Sequence, residues 1–371
     1  MNREQVTVTV FTVLVATLAT TNITRLRRIL STIVSRFRLH FIVSTKPQES
    51  DSKRQVSQLH IYPIKSLRAV DQQTVQIEKR GLVGDRGYML VVPAPLPAWG
   101  SFGPQDPTHR FLTQRQCPSL ATIVVVTVEN DQFTLTSHLL PNVTANFSTQ
   151  PNPDSPKYRA TLWGDCVQVQ DMGDTAAQFL QSIVDQDPEM PDDLKALKVR
   201  LVIQCPEDVR VANEQYVPPA TRGWFGQGPV VALSDGFPIL IANDKSLEEL
   251  NRKLQAKGKA SLSMRNFRPN IVVAGLEPFE EDRWKVIRIG NAILHVVKGC
   301  PRCKQSCTDQ TSGKVSAEPL ETMAEFRALE AGSKNVYFAQ NVVPSPASVG
   351  SLISVGDSVE VLEWGEPVWG D

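Results

Sequence analysis

Val286-Ile287-Arg288-Ile289-Gly290-Asn291-Ala292-Ile293-Leu294-His295-Val296-Val297 runs without a break into Lys298-Gly299-Cys300-Pro301-Arg302-Cys303-Lys304-Gln305-Ser306-Cys307-Thr308-Asp309. The first half reads as two strands joined by a Gly-Asn turn, because apolar and β-branched residues flank a dipeptide that favours a hairpin. The second half puts three of the six cysteines within eight positions. They are expected in a loop leaving the second strand, since Gly299 and Pro301 oppose helix. A thiol held beside a cation such as Arg302 ionises more easily and becomes a better nucleophile or soft-metal ligand. Spacing alone does not name the chemistry. A zinc site wants a second Cys or His pair, and His40, His60, His109, His138 and His295 supply no such spacing. A redox Cys-x-x-Cys wants a helix directly after it, and none is expected there. Cys117, Cys166 and Cys205 lie in apolar surroundings and are expected as core thiols.

The rest of the chain sets the frame. Its 371 residues suffice for two domains, and 39 basic residues balance 39 acidic ones, so nothing points to general nucleic-acid binding. With 26 prolines and few helical runs, the expectation is an α+β fold that is mostly β. Outward from the cysteine stretch, strands are expected at Gln58–Ile61, Thr74–Glu78, Tyr88–Val92, Leu120–Val128, Phe133–Ser137, Val199–Gln204, Ile271–Ala274, Val336–Val342 and Ser358–Leu362. A hairpin over Tyr158–Gln170 turns at Gly164-Asp165. Helices are expected at Thr175–Val184, from a Ser246-Leu247-Glu248-Glu249 capping box to about Ala256, and over Glu318–Ala331. Pro93–His109 and Glu207–Gly228 read as long loops, the second a candidate lid.

Residues Val6 to Ile23 form an uncharged apolar run near bilayer length. Arg25, Arg27, Arg28, Arg36 and Arg38 follow it. The positive-inside rule then puts the folded part in the cytosol, with the run as a membrane anchor. Two other readings stay open: a cleaved leader, or a mitochondrial transit peptide, since the first 45 residues are rich in Arg, Ser and Thr. The expected organisation is an anchor at 1–44, a linker at 45–54, one domain at 55–185 and a second at 195–366.

Lys65 with Ser66, Arg86, Arg115, Arg268 with Asn270, and Arg302 each end a strand-like run. Cations converging from strand ends on one cleft would bind an anion such as a phosphate, with Arg giving bidentate geometry. The order Tyr62-Pro63-Ile64-Lys65-Ser66, Gly84-Asp85-Arg86, Phe111-Leu112-Thr113-Gln114-Arg115-Gln116, Asn266-Phe267-Arg268-Pro269-Asn270 and then Cys300-Pro301-Arg302-Cys303 resembles the MOSC-domain proteins. Within them it resembles the branch of mitochondrial amidoxime-reducing components. The resemblance covers about Gln58 to Leu362. It implies an N-terminal MOSC β-barrel segment followed by a MOSC β-barrel domain with a few helices, behind an anchor in the mitochondrial outer membrane that leaves the catalytic part facing the cytosol. Another intracellular membrane is the alternative.

The same resemblance implies a molybdenum cofactor (Mo-molybdopterin), with Cys303 as the protein thiolate on the metal. Lys65, Ser66, Arg86, Arg268, Asn270 and Arg302 are implied as residues that hold the pterin and its phosphate, with Asn243, Asp244 and Ser246 at a helix N-terminus. The implied reaction is reduction of small N-hydroxylated substrates, amidoximes and hydroxylamines, to amidines and amines. Electrons would come from a cytochrome-b5-type haem protein and its NADH-dependent flavin reductase, because the chain has no Cys-x4-Cys-x2-Cys iron–sulfur pattern of its own. The family's animal members carry a hydroxyl residue where Cys307 stands, and the two long loops are insertions. A sulfur-carrying MOSC protein that transfers persulfide is the alternative activity. A tethered binding protein with structural cysteines is the non-enzymatic one.

Overall fold

The computed structural model describes residues 26–44, 53–94, 107–128, 131–223 and 227–370. The apolar run Val6–Ile23 lies outside them, as do most of the linker 45–54 and of the loop Pro93–His109. No helix among the described residues is long and apolar enough to cross a membrane.

The chain is mostly β. The Gly-Asn hairpin forms as expected, with Ile289 opposite Ala292 and Gly290 in the left-handed region that the turn requires. Its second strand, Ala292–Pro301, is buried at seven of ten positions. That is the pattern of a central strand covered on both faces. Tyr337–Pro344 pairs on one side and Trp284–Ile289 on the other. Val359–Trp364, Ile239–Asn243, Ile271–Ala274, Gln55–Ile61 and Val70–Gln72 complete an eight-stranded sheet. Its pairs are antiparallel except Ile239–Asn243 with Ile271–Ala274. Ile239, Ile241, Ile271, Val273, Trp284, Ile287, Leu294 and Val342 pack on one face. Helix Asp244–Ala256 contributes Leu250 and Leu254 to a second core with Phe267, Val272 and Phe338.

A closed five-stranded barrel is the other body. It comprises Lys157–Leu162, Asp165–Asp171, Arg200–Gln204, Tyr88–Pro93 and His109–Leu112. The three-stranded sheet Ile123–Val128, Gln132–Ser137 and Ala145–Ser148 and the helix Asp174–Gln186 cover it. Leu90, Leu112, Leu120, Phe133, Phe179 and Ile183 share this core. The two bodies exchange strands along the chain. The first strand pairs with Ile271–Ala274, whereas Arg200–Gln204 closes the barrel against Tyr88–Pro93. The chain therefore crosses between bodies after residue 82 and again after residue 204.

Other expectations need correction. The strand bearing the cysteines runs through Cys300 to Pro301, with bulges between Val296 and Lys298 and between Gly299 and Pro301. Only Cys303 and Cys307 lie beyond it. Gly299 is required there: a Cβ would stand 2.3 Å from the Trp369 ring. Cys166 is exposed, not a core thiol, whereas Cys117 and Cys205 are buried. The barrel hairpin turns at Trp163-Gly164 between Leu162 and Asp165. The helix over Glu318–Ala331 is only Leu320–Ala324. Arg327 ends it by burying its guanidinium, donating to the Tyr337 carbonyl (2.7 Å) and pairing with Asp282 (2.8 Å). The candidate lid Glu207–Gly228 is pinned where described: Arg210–Val211 pairs with Val230–Val231, and Arg210 donates to the carbonyls of Ala232 and Ser234.

The capping of Asp244–Ala256 also differs. Asn243 is the cap, its side-chain oxygen accepting from the Lys245 amide at 2.8 Å. Ser246 sits in the first turn and donates to Glu281 (2.9 Å), as does the Asn243 amide. Glu281 is wholly buried. Burial first, and the neighbouring Asp282 carboxylate second, hold its carboxyl well above the usual carboxylate range. The folded chain thus keeps a proton that the unfolded chain releases, so stability falls as pH rises past the ordinary carboxylate pKa. Glu281→Gln is expected to raise the melting temperature relative to wild type at about pH 8, with the gap closing at about pH 5. Thermal melts at the two pH values check this, and a pH-independent gap would contradict it.

Candidate functional site

Strand ends from both bodies meet around one open cleft holding about 870 Å³ of space between atoms, solvent included. Lys65 and Ser66 follow the first strand of the large sheet, and Arg86 precedes Tyr88–Pro93. Arg268 and Asn270 precede Ile271–Ala274, and Cys300, Arg302 and Cys303 end the central strand. The structure therefore brings together Lys65, Ser66, Arg86, Arg268, Asn270, Arg302 and Cys303. It does not bring Asn243, Asp244 or Ser246 to the lining. Asn243 and Ser246 are committed to Glu281 and the helix cap.

Three of the converging residues are non-glycine residues in the left-handed backbone region: Ser66 (φ 71°), Arg86 (φ 49°) and Arg268 (φ 56°). Such conformations cost about 1–3 kcal/mol each and persist where the surroundings over-determine them. The surroundings here are explicit. The Arg86 amide donates to the Tyr62 carbonyl at 2.8 Å, and its own carbonyl accepts from Leu233 at 3.0 Å. Arg86 pairs with Asp85 and reaches Asn270 Oδ1 at 3.2 Å. Asn270 is fully buried and also accepts from the Leu240 amide and donates to the His60 carbonyl. It positions Arg86 and the sheet edge and has little left to offer a ligand.

Arg268 is the more telling cation. Its guanidinium stacks 4.2 Å from the Tyr62 ring and donates to Gln310 Oε1 at 3.2 Å. No carboxylate among the described residues pairs with it. Burial, offset in part by Tyr62, brings its pKa down to about 10, so it stays charged at neutral pH. A buried guanidinium without an acid is costly unless an anion joins it. Lys65 is buried and ion-paired with Asp235, and burial lowers its pKa. Ser234 lines the cleft with a buried hydroxyl that has no hydrogen-bond partner. An unsatisfied buried donor at a cleft is a place for a ligand oxygen.

The cysteines separate by environment. Cys300 lines the cleft, but burial pushes its thiol up despite Arg302. Cys307 is buried, points its thiol at the Ala317 carbonyl (3.6 Å), and is likewise pushed up by burial. Cys303 is half-buried and faces the cleft. Arg302 does not serve as a free cation. Its guanidinium donates to the carbonyls of Phe338 and Phe267, both at 2.8 Å. It clamps the cysteine loop to the neighbouring strand and to the Asn266–Asn270 turn, and so aims Cys303.

Arg115, expected among the converging cations, lines the cleft with Thr113. Sequence reasoning missed Trp163 at the hairpin tip and the segment 234–237, which line it too. Trp163 has φ 57° and is 42% exposed. Its indole NH donates to Asp235 at 3.0 Å, and Arg115 lies 4.3 Å from its ring. The signals were present but faint: a bulky residue where the turn favours Gly or Asn, and a Leu233-Ser234-Asp235-Gly236 break ending an apolar run.

Residues 228–360 match the MOSC domain, and residues 53–187 match the MOSC N-terminal beta barrel domain. The chain is 30% identical over 313 residues to mitochondrial amidoxime reducing component 2 of Bos taurus and 31% identical to that of Rattus norvegicus, with 82% of each chain covered in both cases. It is 28% identical over 318 residues to mitochondrial amidoxime-reducing component 1 of Homo sapiens, covering 83% of this chain and 82% of that one.

The thiol environments predict an order of labelling. Alkylation at neutral pH should modify Cys166 and Cys303 first. Cys117, whose thiol is pushed up by burial and by the Asp187 carboxylate it donates to (3.2 Å), should react only after denaturation. Peptide mass mapping reads the order, and early labelling of Cys117 would contradict the burial described.

Proposed function

The chain belongs to the family of MOSC-domain proteins that includes the mitochondrial amidoxime-reducing components, and from that premise we propose that it is a molybdenum-cofactor-dependent oxidoreductase of N-hydroxylated compounds. The observation that carries the reading is the buried guanidinium of Arg268, which forms no ion pair among the described residues and lines, with Ser234's unpartnered hydroxyl, a cleft that Cys303 faces. These residues fit a group that is anionic at one end and bears a soft metal at the other. Arg268, Lys65 and Arg86 would hold the anionic end, with Ser66 and Ser234 supplying hydroxyls. Cys303 would bind the metal as its thiolate, releasing the thiol proton as it does so. When bound, such a cofactor supplies a two-electron redox centre, at which an N–OH group takes two electrons and two protons to give N–H and water.

The chain's own part is to bind and to exclude. The Arg302 clamp keeps Cys303 on the cleft side of the loop. Burial raises the thiol pKa of Cys300 and of Cys307, which disfavours either as a thiolate ligand. Trp163 lines the mouth, backed by the Phe111 ring at 5.1 Å between centroids. In this proposal amidoximes and hydroxylamines are the substrates. A cytochrome-b5-type haem protein with its NADH-dependent reductase restores the electrons. The mitochondrial names of the relatives support a mitochondrial site. The Val6–Ile23 run would attach the chain to the outer membrane with the folded part in the cytosol.

Purified protein is expected to carry molybdenum and pterin in near-equal amounts. With the haem chain, NADH and a simple aryl amidoxime, it should turn over. Cys303→Ala should lose at least about a hundredfold of that activity, since a ligand is removed from the reacting centre. Sulfane sulfur on Cys303 without molybdenum would overturn the reading in favour of persulfide transfer. Arg268→Gln should weaken cofactor retention about tenfold to a hundredfold, the worth of a charge-assisted hydrogen bond of ~1.5–3 kcal/mol. Pterin content after gel filtration measures it, and unchanged retention would contradict the role given to Arg268.

A further inference from the structure

Residues 26–44 form a helix with two unlike sides. One side is fastened to the folded body. Arg28 pairs with Glu214 at 3.0 Å, Arg38 pairs with Glu363 at 2.7 Å, and Arg36 donates to the Arg222 carbonyl. Thr32, one turn from Arg28 and one from Arg36, is 1% exposed. The other side is apolar and open. Leu26 is 57% exposed, Leu30 52%, Val34 68% and Phe37 73%. At 3.6 residues per turn these positions fall in one stripe, roughly opposite Thr32 round the axis. Ile33 and Phe41 widen it. An exposed apolar stripe of this kind on a folded chain marks an interaction surface.

The charges say what covers it. Residues 26–44 contain Arg27, Arg28, Arg36, Arg38 and His40 and no acidic residue. Arg27 and Arg38 fall along one flank of the stripe. A second copy laid on the stripe would set cations against cations, whereas an anionic lipid surface attracts them. With four arginines in nineteen residues the helix does not meet the requirements for a span. An apolar face with basic flanks is the pattern of a helix lying in the plane of the membrane surface. The uncharged run Val6–Ile23 ends three residues before Leu26, which delivers the helix to the same surface.

We propose that helix 26–44 is an in-plane membrane-surface element: Leu26, Leu30, Val34 and Phe37 seat in the acyl boundary of an anionic bilayer, while the opposite face holds the folded body by Arg28, Thr32 and Arg36. The proposal rests on the membrane attachment put forward above and adds an orientation to it. Attachment through a free linker would leave the body to tumble, and this helix fixes which side of the body faces lipid.

The test uses the full chain in vesicles of phosphatidylcholine with a minor part of phosphatidylserine. Leu30→Trp and Phe37→Trp are made separately. Both sites are exposed, so the folded body is not repacked, and an unchanged melting temperature checks this. Flotation reports attachment, and quenching by brominated acyl chains reports helix depth. The expected result is that the chain floats and that the emission added at each position falls at least twofold in brominated vesicles, relative to the unsubstituted chain. A chain that floats with unquenched emission at both positions overturns the in-plane helix while leaving attachment intact. So does a dimer cross-linked through the stripe. A chain that does not float overturns both.

Discussion

One aromatic ring under two guanidinium groups holds the site together. Tyr62 is buried, with Arg268 at 4.2 Å and Arg86 at 4.7 Å from its ring. Its amide donates to Asp85, its hydroxyl to the Pro269 carbonyl, and burial pushes its pKa up to about 12. The ring's negative face is what allows two like charges to share so small a volume with one acid between them. Burial first, and Arg86 among its neighbours, lower Arg268's tendency to stay charged, whereas Asp85 holds Arg86 charged. The cleft is thus built with positive charge in excess before any ligand arrives. An anion that enters finds donors already aimed, which is the gain of preorganisation.

That arrangement requires both bodies. Tyr62, Lys65 and Ser66 lie on the link between two strands of the large sheet, Gln55–Ile61 and Val70–Gln72, and Arg86 lies on the turn into the barrel. Arg268 precedes Ile271–Ala274, the strand that pairs with Gln55–Ile61, and Cys303 follows the central strand Ala292–Pro301. The barrel then adds Trp163 and Arg115 across the mouth. The left-handed backbone at Ser66, Arg86 and Arg268 is affordable only because strands on either side hold it.

Much of this was legible in the sequence, for reasons that are local. The Gly-Asn hairpin, the alternating strands and the helix at 174–186 announce themselves by period and turn chemistry. The cations at strand ends were visible as interruptions of apolar runs. What was not legible depends on partners far along the chain. The Ser246 capping-box pattern is real, but Glu281 claims that serine from 35 residues away. The helix expected to Ala331 stops because Arg327 finds Asp282 and Tyr337. Arg302 looked like a cation for a phosphate or a thiolate, but backbone carbonyls of Phe267 and Phe338 take its guanidinium. The exchange of strands between the bodies was hidden for the same reason. Strand exchange between bodies leaves no mark on composition.

The central proposal is that one cysteine, Cys303, is the protein's metal ligand, because it faces the cleft on the loop that the Arg302 clamp holds. X-ray absorption at the molybdenum edge counts sulfur neighbours directly. The account predicts that Cys303→Ser removes one sulfur neighbour, while Cys300→Ser and Cys307→Ser leave the count as in wild type. A full count in Cys303→Ser, or a sulfur lost in Cys300→Ser, would contradict it.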